Sequence, residues 1–277
     1  MNRARTLAWI SAVAVGVAAT SALAGGGLKT TSKTETVATN EVRSVSATCK
    51  ADRRVVSGGF KAERDPDALS NPDLLVTASR RAPGRKWTIT AANESIAGDL
   101  TAYVNCRDRR LRTATETVEL PAGATDTMKA SCPAGTKAIS GGYEATPADF
   151  VAPTTPFMRT SASRRSGPRG WKASVFNNGN EGGEVKVYVH CRRGDATKVR
   201  TRSKALIVPE VATIKPRCKR GERVLAGGFA SPEPGKGAAV IIVSRKRGAR
   251  TWLVQARTGQ SGAPVEVTAY AYCEKKR

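Results

Sequence analysis

The residues best suited to ligand chemistry are cations, and they recur in one pattern. Ser79 to Trp87 reads SRRAPGRKW, Ser163 to Trp171 reads SRRSGPRGW and Ser244 to Trp252 reads SRKRGARTW. Each copy keeps Ser first, two basic residues next, Arg seventh and Trp ninth. The adjacent pairs are Arg80 with Arg81, Arg164 with Arg165, and Arg245 with Lys246; the single arginines are Arg85, Arg169 and Arg250. Guanidinium groups match phosphate and carboxylate oxygens in bidentate geometry. Three such sites on one body also gain on a polymer by multivalency. These nine residues are the candidate ligand contacts. A second reading needs no ligand. Each single Arg stands two places before its Trp and shares its face on an extended strand. It can stack on the indole or lay its aliphatic stem over it. That contact does not account for the adjacent pairs.

More charge lies further along the chain. RDRRLR follows Cys106, RRGDATKVRTRSK follows Cys191 and EKKR follows Cys273. If the copies are related by symmetry, these segments form threefold rings of positive charge. The whole chain carries a formal net charge of +23 over 277 residues. That balance favours polyanionic partners and solubility, and it says nothing about fold. Strongly basic composition alone also occurs in exported proteins without a ligand, so position has to decide.

Catalytic signatures are missing. No P-loop, HExxH, GxSxG or GxGxxG stands in a suitable context. His190 is the only histidine. Its counterparts in the other copies are Asn105 and Tyr272, so it reads as a structural residue. With no CxxC, no metal site is expected, and no cofactor is expected either. Paired carboxylates could serve a glycosidase, and Glu94, Asp99, Glu181 and Glu184 lie in comparable loops. The third copy offers only Glu266 nearby. No recognition helix, zinc finger or RNP-type aromatic pair points to sequence-specific nucleic-acid binding.

The elements that hold the basic loops form a repeat. CKADRRVVSGGF begins at Cys49, CPAGTKAISGGY at Cys132 and CKRGERVLAGGF at Cys218, so the starts are 83 and then 86 residues apart. Each has a Gly-Gly-aromatic triplet at the same distance from Cys: Gly58, Gly59 and Phe60; Gly141, Gly142 and Tyr143; Gly227, Gly228 and Phe229. The basic loop and its Trp follow. Each unit closes on LTAYVNC, VKVYVHC or VTAYAYC, ending at Cys106, Cys191 and Cys273 with Tyr103, Tyr188 and Tyr270 three places earlier. Six cysteines in an exported chain read as disulfides. The simplest pairing is within units, Cys49–Cys106, Cys132–Cys191 and Cys218–Cys273; pairing between neighbouring units is the alternative. A loop of this size is worth roughly 4 kcal/mol in the chain-entropy model. That would compensate for cores poor in aromatics, which make up only 5% of the chain.

The units read as strands. KWTITAAN places Trp87, Ile89, Ala91 and Asn93 on one face, and the closing segments alternate likewise. Each unit is expected to hold four to six strands. Paired glycines inside a strand mark a bulge or a close backbone approach, and their repetition suits packing about a common axis. The expected fold is all-β, three repeats in one pseudo-threefold, β-prism-like body with a disulfide per repeat. The expected boundaries are 1–24 for a signal peptide, 25–33 for a flexible linker, and 34–110, 111–197 and 198–277 for the repeats. The leader has a basic start, an apolar run and SALA ending at Ala24. Its removal takes Arg3 and Arg5, leaving +21. No Cys follows the apolar run to carry a lipid.

The unit C…GG[FY]…S…W…Y-x-x-C, spanning residues 34 to 275, resembles a repeat found in exported actinobacterial proteins. It also resembles the β-prism proteins of the vitelline membrane outer layer protein I type, in which three four-stranded sheets pack around an axis. The Q-x-D-x-N-x-V-x-Y site of mannose-binding prism lectins has no copy here. The expected function is a secreted, non-catalytic binder of anionic polymers or glycans, such as wall polymer, acidic polysaccharide or extracellular nucleic acid. The alternatives are a structural protein of the cell envelope or spore surface, and a hydrolase or protease inhibitor.

Overall fold

The computed structural model describes residues 27–64, 74–93, 96–147, 158–207, 209–231, 239–258 and 264–276. The proposed signal peptide lies outside them. Repeat 1 forms β1 (Lys29–Val37), β2 (Glu41–Thr48), β3 (Arg54–Arg64), β4 (Leu75–Ala82), β5 (Lys86–Asn93) and β6 (Gly98–Arg107). Repeat 2 forms β7 (Arg112–Leu120), β8 (Thr125–Ser131), β9 (Thr136–Pro147), β10 (Met158–Ser166), β11 (Gly170–Asn177) and β12 (Gly183–Arg193). Repeat 3 forms β13 (Lys198–Leu206), β14 (Val211–Ile214), β15 (Glu222–Ala230), β16 (Val240–Arg247), β17 (Thr251–Arg257) and β18 (Val265–Lys275). The described residues hold no helix long and apolar enough to cross a membrane.

The expected linker needs correcting at its C-terminal half. β1 begins at Lys29 and pairs with β6 over its whole length, Lys29 opposite Cys106 and Val37 opposite Gly98. Its KTTSKTETV sequence carries no apolar alternation because it is an edge strand exposed on most positions. A strand held by backbone pairing and Thr–Thr contacts, such as Thr34 with Thr101 at 2.9 Å, leaves no hydrophobic signature to read.

Each repeat divides its strands between two layers, β1-β6-β3 and β2-β5-β4 in repeat 1, and the layers face each other. Each half-sheet then continues into a different neighbour. The three six-stranded sheets are β2-β5-β4-β9-β12-β7, β13-β18-β15-β10-β11-β8 and β1-β6-β3-β16-β17-β14. Repeat 1 thus joins 2, 2 joins 3, and 3 joins 1. The body is all-β with pseudo-threefold organisation. Every sheet is shared between two repeats, whereas the resemblance to β-prism proteins implied four-stranded sheets. The disulfides are those within units, Cys49–Cys106, Cys132–Cys191 and Cys218–Cys273. Each ties one layer of its repeat to the other, because the first Cys follows an edge strand and the second ends the central strand opposite.

The seams between repeats are short, and they explain the paired glycines. Ser79 stands opposite Tyr143, Ser163 opposite Phe229, and Ser244 opposite Phe60. A Cβ on Gly59 would overlap the carbonyl of Ser244, one on Gly142 that of Ser79, and one on Gly228 that of Ser163. The first glycine of each pair has another task. A Cβ on Gly58, Gly141 or Gly227 would overlap the indole of Trp87, Trp171 or Trp252. Those indoles are fully buried and donate Nε1–H to the Oγ of Ser79, Ser163 and Ser244 at 3.0–3.1 Å. The invariant Ser and Trp of the basic pattern are therefore hydrogen-bonded to each other over the glycine floor.

Two further layers line the axis. The pairing of β3, β9 and β15 slips by one residue at Val56, Ile139 and Leu225. A bulge turns its extra side chain out of the ladder, and these three pack with Leu111 into a small separate core. Phe60, Tyr143 and Phe229 meet on the other side of the glycines. Phe60 and Tyr143 each lie edge-on to Phe229 at 6.4 Å. Burial drives the Tyr143 phenol upward, so it stays protonated and donates to the Val76 carbonyl at 3.3 Å.

Gly142→Ala is predicted to destabilise the protein by about 1–3 kcal/mol, the usual cost of overpacking, because the clash is with backbone that cannot rotate away. Chemical denaturation of the two proteins with the disulfides intact measures it.

Candidate functional site

Antiparallel register sorts the charges by end. The basic hairpins between β4 and β5, β10 and β11, and β16 and β17 lie at the same end as the disulfides. Cys49, Cys132 and Cys218 donate their backbone N–H to the carbonyls of Arg85, Arg169 and Arg250 at 3.0, 2.8 and 2.8 Å. Arg54 stands opposite Arg107 at that end. Toward the other end several acids have cationic partners close by: Lys33 on Glu35, Arg43 on Glu41, Lys186 on Glu184 and Lys204 on Glu210. The unbalanced cations collect at the disulfide end.

The structure gives the adjacent basic pairs partners in the next repeat. The first member lies over the tyrosine of a neighbouring Y-x-x-C segment. Arg80 faces Tyr188 at 6.0 Å, Arg164 faces Tyr270 at 5.4 Å and Arg245 faces Tyr103 at 5.0 Å. Arg80 also pairs with Glu144 at 2.8 Å. The second member reaches the chain entering that repeat. Arg81 donates to the Leu111 carbonyl at 3.0 Å, Arg165 to the Thr197 carbonyl at 2.7 Å, and Lys246 to Thr30 Oγ1 at 3.5 Å. Arg165 additionally stacks on Tyr272 at 5.1 Å. Burial pulls Arg81, Arg165 and Lys246 below their ordinary values. These six side chains are half-buried and bridge the seams around the ring.

The single arginines sit differently from the extended arrangement expected for them. Arg85 has φ 63°, a left-handed turn position, so it does not share a strand face with Trp87. Its guanidinium donates to the Ala51 carbonyl at 3.2 Å, and that of Arg169 to the Cys132 carbonyl at 2.7 and 3.0 Å. They brace the segment at the first Cys.

The segments after the closing cysteines converge, and here the threefold expectation has geometry. Arg107, Arg192 and Glu274 occupy equivalent places, and all three meet. Glu274 accepts from Arg107, from Arg223 at 2.8 Å and from Arg192 at 3.3 Å, so one carboxylate holds a guanidinium from each repeat. Burial acts to raise the Glu274 carboxyl. The Arg223 hydrogen bond and the charges of Arg107, Arg223 and Arg192 outweigh it and hold the group below the usual carboxylate value. Above this floor opens a cleft of about 410 Å³. Arg109, Arg193, Lys198, Lys275 and Lys276 form its rim with Asp195 as the one rim acid. Eight cations against two carboxylates leave a surplus of six charges in one concavity. The charge runs in the sequence pointed to it. Their convergence was not readable without knowing that Arg107, Arg192 and Glu274 share an axis.

The remaining titratable candidates are structural or remote from this cleft. His190 is fully buried, hydrogen-bonded through Nδ1 to Thr113 at 3.0 Å and edge-on to Trp87 at 5.7 Å. Its counterpart Asn105 contacts Ser57 and Thr30, and Tyr272 accepts from the Arg165 backbone N–H. Asp99 accepts from Thr36, while Glu94 lies outside the described residues. Cys218, Glu222 and Cys273 cluster within 4.8 Å, yet both sulfurs are in one disulfide and offer no thiolate.

Burial, reinforced by the Arg81 charge, lowers His190 from 6.5 to about 3. A depressed histidine favours the folded state above its unfolded value and loses that contribution as pH falls. Stability is therefore predicted to decline as pH falls from 6.5 toward 3, by about 1 kcal/mol per pH unit in mid-interval on account of this residue. His190→Asn, the residue used by repeat 1, should flatten that slope in urea titrations run at successive pH values. No protein-family model matches the chain, and the search of curated proteins finds no match.

Proposed function

We propose that the protein is an exported, non-catalytic binder of anionic polymers or glycans, with the leader at residues 1–24 directing export. Three disulfides fit an oxidising extracellular compartment. The observation that carries the reading is the segregation of charge. At one end acids stand among cations and pair with them, and at the disulfide end the cations are in excess around a concave floor. A polyanion approaching that end meets a field of one sign. The three-sheet body, read as prism-like, sets the basic hairpins and post-cysteine segments in rings around one axis, which suits a repeating ligand.

Binding of the chain from residue 25 onward to acidic polysaccharide, DNA and a neutral glycan across a salt series tests the reading. About three phosphate-type contacts predict a loss of roughly 40-fold in DNA affinity between 50 and 200 mM salt, with no retention of the neutral glycan. Lys86→Glu with Arg247→Glu, both on exposed hairpin positions, should weaken polyanion binding several-fold and leave the fold intact. Equal binding to the neutral glycan, or affinity indifferent to salt, contradicts it. A purely structural envelope protein would instead bind all polyanions equally at matched charge density.

A further inference from the structure

We propose that the axial cleft is a discrete oxyanion site for a run of adjacent phosphoryl groups. The inference rests on the polyanion reading and deepens it, by giving one place and one chemistry to the tightest contact. Three observations carry it.

The first is the floor. Arg107, Arg192 and Arg223 come from three different repeats and converge on one carboxylate, Glu274. The protein has thus assembled, around its own axis, a guanidinium cluster whose geometry already suits an oxyanion. The second is unmet donor capacity. Arg192 reaches Glu274 only at 3.3 and 3.4 Å and its Nε is buried with no hydrogen-bond acceptor among the described residues, whereas the Arg107 Nε faces the Asp108 carboxylate at 3.6 Å. A guanidinium held this weakly by Glu274 favours a stronger oxyanion acceptor at the floor. The third is the amount of charge. Each phosphoryl group brings about one to two negative charges, so a run of three or four groups matches the surplus of six in a cleft of about 410 Å³. That volume lies within the ordinary range for ligand sites.

Rim cations Arg193, Lys275 and Lys276 are exposed and can close over the ligand without unfolding the seams. Glu274 competes for the same guanidinium groups, so it sets an upper limit on affinity.

The test is calorimetric titration of the chain from residue 25 onward with sodium tripolyphosphate, inorganic phosphate and citrate at one ionic strength. The site predicts tripolyphosphate bound at a single site at least ten-fold more tightly than either other anion. Arg193→Ser, Lys275→Ser and Lys276→Ser together should weaken it ten-fold or more. Lys129→Ser, Arg159→Ser and Arg202→Ser, which remove the same charge from exposed strand positions elsewhere, should change it by less than two-fold. Equal affinity for citrate, or equal loss in both triple variants, overturns the site and leaves the polyanion reading standing if acidic polymer still binds in a salt-dependent way. Tripolyphosphate binding without any polymer binding would uphold the site and overturn that reading.

Discussion

Everything in this structure depends on how closely two backbones approach at each seam. The second glycine of each Gly-Gly pair lies against the carbonyl of the serine that opens a basic hairpin in the neighbouring repeat. That contact fixes Ser79, Ser163 and Ser244, which in turn hold the indole N–H groups of Trp87, Trp171 and Trp252. The first glycine is the bed on which the indole rests. One four-part unit of Ser, Trp and two glycines therefore sets the core of a repeat and its junction with the next. Three junctions close the ring. Between them the axis is filled by the Val56, Ile139 and Leu225 layer and by the Phe60, Tyr143 and Phe229 layer. Among the described residues, nearly all the large rings stand at or beside these seams.

The basic residues next to each serine follow from the same geometry. A side chain immediately after the seam residue projects onto the neighbouring repeat, so Arg80, Arg164 and Arg245 find tyrosine faces there. One place later, Arg81, Arg165 and Lys246 reach the incoming chain. Arginine suits this task because a planar cation can stack and donate at once. The repeated basic pattern is thus accounted for by assembly, whatever else its half-exposed edges contact. The post-cysteine segments meet the same demand at Arg107, Arg192, Glu274 and Leu111, but their outer cations do not. Their rim charges face solvent and leave a concentrated surplus where the axis emerges.

Much of the architecture was legible because the marks are local and recur three times. Cysteine spacing favoured the pairing within units that the structure has, and the Trp87, Ile89, Ala91 and Asn93 alternation matched a strand buried on that face. The Gly-Gly pairs announced close approach correctly. Three things were hidden. The start of β1, Lys29 to Lys33, reads as linker because an exposed edge strand needs no apolar residues. The sharing of each sheet between two repeats leaves no trace in a single unit, since a strand's sequence records its burial and not its neighbour's identity. The roles of Arg80 and Arg81 depend on which repeat faces which, so a pattern of cations alone could not separate a seam from a surface. The axial cleft was half visible: three charge runs at equivalent places were plain, whereas the substitution of Glu274 for arginine makes sense only once the three positions are seen to touch.

The most direct measurement is backbone hydrogen exchange of the disulfide-intact protein with and without a saturating acidic polysaccharide. Slowed exchange confined to residues 107–111, 192–198 and 273–276 is the predicted result, because ligand would then cover the rim of the axial cleft while the seams, already protected, stay as they are. Slowed exchange at residues 41–43, 117–120 and 183–186 instead, or none anywhere in a protein that binds the polymer, would contradict the assignment of function to the disulfide end.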